Sequence, residues 1–328
     1  MKMENGQGGR APRPTSGGAA VKPRKKKMNL GVRILLIIIT LLVVFGLVMG
    51  GLVWRKYAII REGQDKANAL YPAADQSTST DSTSQAIDPE TGIIPDFNNL
   101  HEENQDVIGH LSIPDTKLKT PVVQGTDNEY YLNHNFFKES TLGVPFADYK
   151  ASITKDYVSD NITIYGHAAK DGSYFAPVKL YRTVDYYKAH PIVQFDTIYG
   201  KGQYKIIGAF IARVSNASSS GDPEEFNYQD YMDLTEETFN QYIEEIGKRS
   251  YFDTGVDVKY GDKLITLSTC DDEIIDSLST PYRMVVVARK VRAGESASVD
   301  TSKAAANTDM IMPSAWSEKN GGKANPYS

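Results

Sequence analysis

The chain has 328 residues, 41% of them hydrophobic and 23% charged, with a formal net charge of −5. That length allows one large or two small domains. The slightly acidic balance gives no reason to expect a nucleic-acid partner, because such partners are held by basic surfaces.

Residues 34–54, ILLIIITLLVVFGLVMGGLVW, carry no charge. About 20 apolar helical residues cross a hydrocarbon core of roughly 30 Å. The run exceeds a signal-peptide apolar region, and no small-residue cleavage site follows it. One transmembrane helix is therefore expected over 34–54. Lys22, Arg24, Lys25, Lys26, Lys27 and Arg33 precede it; Arg55, Lys56 and Arg61 follow it. The heavier basic flank stays in the cytoplasm. Residues 1–33, rich in Gly, Pro and Lys, are then a cytoplasmic basic tail, and all that follows the span lies outside the cell.

Residues 55–95 include DQSTSTDSTSQ, which cannot build a core. They are expected to be a flexible extracellular tether. Between 96 and 292 the pattern is globular and mostly β. In NITIYGH (161–167), Ile162 and Ile164 alternate with Thr163, Tyr165 and His167. PIVQFDTIYGKGQYKIIGAFIARV (191–214) reads as two strands around a Gly-Lys-Gly turn. KLITLSTC (263–270) and YRMVVVARKV (282–291) are two more. LTEETFNQYIEEIGKRS, between 191–214 and 263–270, is a helix, with Phe239, Tyr242, Ile243 and Ile246 at i, i+3, i+4 and i+7. Thr235 is its expected N-cap. Many short strands with few helices suggest a closed barrel or a sandwich. Residues 293–328 are poor in large apolar side chains and are expected to be a disordered tail.

Cys270 is the single cysteine. Outside the cell cysteines usually pair. A lone one is a free thiol, an intermolecular bridge or a buried structural residue. Three local features favour a reactive thiol. Cys270 ends a strand whose alternation places Leu264, Thr266, Ser268 and Cys270 on one face, and that face turns polar toward the cysteine. If 263–270 and 282–291 are antiparallel neighbours, Arg283 lies level with Cys270; a guanidinium there favours thiolate and can hold an oxyanion. His167 ends its own strand 270 − 167 = 103 residues earlier, and a distant Cys–His pair is the usual nucleophile and acid/base. The other histidines lack this placement; His110, in VIGHLSIP, reads as a half-buried strand residue.

These residues together resemble a sortase, a membrane-anchored cysteine transpeptidase of Gram-positive bacteria. The resemblance rests on TLSTC ending a strand, ITIYGH about a hundred residues earlier, and an Arg opening the next strand. It extends from about Asn98 to Arg292. NQDVIGHLSIPDTKLKTPVVQGTDNEYYLNHNF, YGHAAKDGSYFAPVKLY and the helix 235–249 are similar to the class B subgroup. His110 is a departure, since class B chains usually carry Trp there.

The resemblance implies a mostly β, eight-stranded sortase barrel with an N-terminal helix and the class B helix near 235–249. It implies Cys270 as nucleophile, His167 as general acid/base and Arg283 as oxyanion or substrate clamp. It also implies substrate contacts at Ser268, Thr269 and Asp272, although a carboxylate near the sulfur would disfavour thiolate. The substrates implied are secreted proteins with a C-terminal sorting motif. The acceptor is an amine of the peptidoglycan cross-bridge or of a pilin lysine. No metal or cofactor is expected, since no ligand spacing stands out. A binding module with an incidental cysteine and a papain-like protease are the readings from other classes. The second is disfavoured because Cys270 ends a strand instead of opening a helix.

Overall fold

The computed structural model describes residues 28–72, 88–89, 91–214, 226–271, 281–313 and 325. The chain divides into one unit up to Lys56 and another from Tyr57 onward. Helix α1 (Leu30–Ala69) begins in the first unit. Its apolar residues from Ile34 to Trp54 are exposed, and it is long and apolar enough to cross a membrane. It fits a single-pass anchor.

In the second unit come α2 (Asn98–Glu103), β1 (Val107–Ser112), β2 (Lys119–Val123), β3 (Phe146–Ala147) and β4 (Asn161–Tyr165). Next are α3 (Val184–Ala189), β5 (Ile192–Thr197), β6 (Gln203–Arg213) and α4 (Glu236–Arg249). The order ends with β7 (Phe252–Asp253), β8 (Leu264–Cys270), β9 (Tyr282–Lys290) and β10 (Ala305–Ala306). Eight strands close a barrel in the order β1-β2-β3-β4-β8-β9-β6-β5. β2–β3 and β4–β8 run parallel; the other barrel pairs are antiparallel.

Strand alternation decides what each face of the barrel meets. Ile162, Ile164, Ile265, Leu267, Met284, Val286 and Ala288 join one buried cluster with Phe175, Val193 and Phe195. Leu264, Val285 and Val287 point the other way and meet Phe239, Tyr242 and Ile246 of α4. That helix is capped as its sequence suggests, with the Thr235 side chain accepting from the Thr238 N–H at 3.2 Å. It lies close on β6 because Gly208 has no side chain: a Cβ there would stand 2.6 Å from Ile246 Cγ2.

The polar positions on the same face of β8 are therefore buried under this cover. Thr266 Oγ1 lies 2.9 Å from the Tyr242 hydroxyl, and Ser268 Oγ 2.7 Å from that of Tyr228. The polar turn toward Cys270 reflects hydroxyls paired in the interior, as buried polar groups must be. It is not an open surface.

Two segments differ from the sequence expectation. Residues from 55 onward, expected as a tether, remain helical to Ala69, and Ile60, Ala67 and Tyr71 are buried. Asn68 Nδ2 donates to the Lys119 carbonyl at 2.8 Å, and the Tyr71 hydroxyl to Asp196 Oδ2 at 2.7 Å. The apolar residues are few but share one helical face, so they bury together. Ile93 and Ile94, also inside the expected tether, join the same cluster, together with Phe97 just beyond it. The Ser/Thr-rich residues 73–87 lie outside the described residues.

The expected disordered tail is likewise ordered over 293–313. β10 pairs with β7, and Met310 and Met312 enter the main core. Glu295 binds the buried guanidinium of Arg289 and the ammonium of Lys205, at 2.5 and 2.7 Å. A few well-placed apolar and charged side chains fix a segment whose average composition looks unfoldable.

Candidate active site

The parallel pairing of β4 with β8 sets Tyr165 level with Ser268, and the Gly166 N–H donates to the Ser268 carbonyl at 3.1 Å. His167 and Cys270 each follow two residues later, so both emerge at the same rim of the barrel. On the other side of β8, the antiparallel register pairs Cys270 with Arg283. Cys270 thus ends the strand between those that bring His167 and Arg283.

The thiol is exposed, while its neighbours Ser268, Thr269 and Asp271 are buried. His167 and Arg283 are half-buried. The His167 Nε2 lies 2.8 Å from the Leu132 carbonyl oxygen. A carbonyl only accepts, so Nε2 carries a proton and Nδ1 is the nitrogen left for chemistry. One Arg283 Nη1 donates to the Tyr282 carbonyl at 3.0 Å.

Beneath these groups lies Tyr228. Burial pushes its hydroxyl up to about 12; the Ser268 hydrogen bond and the Arg283 charge oppose the shift, and Cys270 adds to it. The phenol therefore stays neutral and feels both Arg283 and Cys270. Ser268 is its hydrogen-bond partner instead of a surface group. Thr269, with its hydroxyl buried and unpartnered, faces inward among the described residues.

Asp271 follows the cysteine and is fully buried, ion-paired to Arg182. Its backbone N–H donates to the Tyr282 carbonyl at 2.9 Å. The pair compensates the charge of a carboxylate that is buried beside the thiol. Asp272 lies outside the described residues. Sequence reasoning missed two of these partners. The Leu132 carbonyl is a backbone group, which no side-chain pattern reveals. Arg182 is 89 residues from Asp271 and carries no local signal.

A family model for the sortase domain matches residues 111–291. The chain is 31% identical over 199 residues to sortase B of Staphylococcus aureus, covering 60% of this chain and 75% of that one. It is 32% identical over 181 residues to sortase B of Listeria monocytogenes, covering 54% and 68%. The solved sortase B of B. anthracis, in complex with AAEK1, aligns at a TM-score of 0.57 and 24% identity. That alignment covers 73% of this chain and 99% of that structure, and it matches the barrel fold. The chain belongs to the sortase family, whose members are cysteine transpeptidases. Within the family it is of class B, as both relatives are.

Proposed function

We propose that the chain is anchored by residues 34–54 with its barrel outside the cell, and that it cleaves a C-terminal sorting signal on secreted proteins. Cys270 is the nucleophile, His167 the general acid and base, and Arg283 the oxyanion or substrate clamp. The observation that carries this reading is the strand order, which brings His167, Cys270 and Arg283 to one rim with only the thiol fully exposed.

In this reading the Cys270 thiol gives its proton to His167 Nδ1, and the thiolate attacks the carbonyl carbon of the scissile peptide bond. Negative charge collects on the carbonyl oxygen, to which the Arg283 fork donates in this reading. The C–N bond breaks as His167 delivers its Nδ1 proton to the leaving amine, which leaves a thioester on Cys270. An acceptor amine then attacks the thioester. His167 takes up its proton, a new amide forms and the thiolate is released. The acceptor in this reading is an amine of the peptidoglycan cross-bridge.

The test uses intact protoplasts carrying the full chain and membrane-impermeant pentapeptide libraries, supplied with an oligoglycine amine. Peptide joined to the amine outside the cell, absent with Cys270→Ala, is the expected result. Transfer only after lysis would overturn the orientation. Cleavage persisting in Cys270→Ala would overturn the nucleophile.

A further inference from the structure

The proposed acid/base is held through a backbone carbonyl, which makes the placement of that carbonyl part of the site. Among the described residues, the Leu132 oxygen is the hydrogen-bond partner of the His167 ring. In many Cys–His sites a third side chain orients the imidazole. Here a peptide group stands in that place, so whatever fixes the 132–133 peptide fixes the ring.

Leu132 ends a short 3-10 turn, Tyr130–Leu132. The chain then leaves and returns. His134 pairs with Ser140, the Thr141 N–H donates to the Asn133 carbonyl at 3.0 Å, and the Val144 N–H to the His134 carbonyl at 3.0 Å. The hairpin between is knotted by Asn135. Its Oδ1 accepts from the Phe137 and Glu139 N–H groups at 3.0 and 2.9 Å, and its Nδ2 donates to Glu139 Oε2 at 2.8 Å. Below the turn, the buried Tyr131 ring sends its hydroxyl to Asp106 Oδ2 at 2.6 Å.

The returning strand brings Gly143 onto the peptide that holds the histidine. A Cβ at Gly143 would lie 1.9 Å from the Tyr131 carbonyl oxygen and 2.6 Å from both the carbon and the oxygen of the Leu132 carbonyl. All three are backbone atoms, so no side-chain rotation relieves the clash. Gly143 has no left-handed φ to explain it. Its requirement is close approach alone.

From this contact we infer that Gly143 is a positioning residue for His167. By having no side chain, it lets the 143 backbone pack on the Tyr131 and Leu132 carbonyls and sets where the Leu132 oxygen meets Nε2–H. That hydrogen bond keeps the proton on Nε2 and leaves Nδ1 toward the reacting groups. The inference rests on the proposed role of His167. A methyl group at 143 must move the Leu132 carbonyl and so release the ring from its tautomer.

The experiment uses the full chain in detergent micelles, with the histidine rings labelled with 15N. Gly143→Ala is compared with Gly200→Ala, where a Cβ meets nothing within 4 Å. Displacing a catalytic group by a fraction of an ångström to 1 Å costs on the order of 10- to 100-fold. Folded Gly143→Ala should lose at least about tenfold in the single-turnover acylation rate, with peptide affinity changed much less. Its His167 ring should pass from one Nε2–H tautomer to a mixture, while Gly200→Ala stays as wild type. If Gly143→Ala does not fold, Asn135→Ala carries the test, because it loosens the same hairpin without a clash and should give the same tautomer mixture. Unchanged tautomer and acylation in whichever of these variants folds would overturn the inference. His167→Ala separates it from the reading beneath: near-normal acylation there removes the acid/base role, whereas the tautomer change still reports on Gly143.

Discussion

At the scale of single residues, burial is arranged so that one thiol is left exposed. Ser268, Thr269 and Asp271 are buried around Cys270, and the partners of Ser268 and Asp271 are Tyr228 and Arg182. The level placement of Cys270 and Arg283 was legible, because strand ends and an eleven-residue loop (271–281) are enough to align them, whereas His167 was singled out by residue type and its place at a strand end. It misjudged the polar face of β8, since alternation tells which residues share a face but not what covers it. His110 shows the same limit. It was read as half-buried, yet it is only 2% exposed, stacked on Tyr71 at 4.2 Å with Nε2 3.4 Å from Asn68 Oδ1. The partners come from a segment expected to be a tether.

Burial, helped by the Lys119 charge, lowers His110 from 6.5 to about 3. The unfolded chain then binds a proton below about 6.5 that the folded chain refuses. A depressed histidine contributes stability that is complete above pH 6.5 and is lost as pH falls from 6.5 toward 3. Between pH 7 and pH 5 the loss is about 2 kcal/mol. His110→Phe keeps a ring against Tyr71 and removes the titration. Denaturant unfolding of that variant should lose little stability over this interval; a slope equal to that of the native chain would show that another group is responsible.

At the scale of elements, the C-terminal segment departs furthest from its composition. Residues 293–313 hold few large apolar side chains, but Met310 and Met312 sit in the main core and Glu295 satisfies Arg289, which is 1% exposed. Burying one methionine stabilises by about 1.5–3 kcal/mol. Cutting the full chain after Arg292 should therefore cost at least about 3 kcal/mol, beyond the loss of an ion pair at a buried guanidinium. In a barrel of this size that lowers the midpoint by about 6 °C or more. A scanning calorimetry midpoint unchanged by the cut would mean the segment does not hold the barrel. The helix 236–249 was legible for the opposite reason: it carries its apolar stripe and cap within itself. Segments that borrow their partners from elsewhere leave no periodic trace.

At the scale of the molecule, the barrel order brings residues 103 apart to one rim. β4 and β8 are parallel neighbours and β9 returns beside β8, so three strand ends meet at one rim. The closed eight-stranded barrel and the covering helix were expected from the family resemblance, and both are present. Composition alone left barrel and sandwich open. The parallel crossover between β4 and β8 is set by long-range pairing, which residue spacing does not encode. The central claim is that this rim makes a thioester on Cys270 with help from both flanking groups. Intact-mass spectrometry of the full chain, mixed in excess with a sorting-signal peptide whose scissile bond is intact, measures that species directly. The native chain should gain the mass of the acyl fragment on Cys270 within one turnover, and Cys270→Ala should gain none. Arg283→Ala and Arg283→Lys should both acylate at least about a hundredfold more slowly, because an ammonium lacks the planar fork. Acyl mass on Cys270→Ala, or a native rate in Arg283→Ala, would contradict the account.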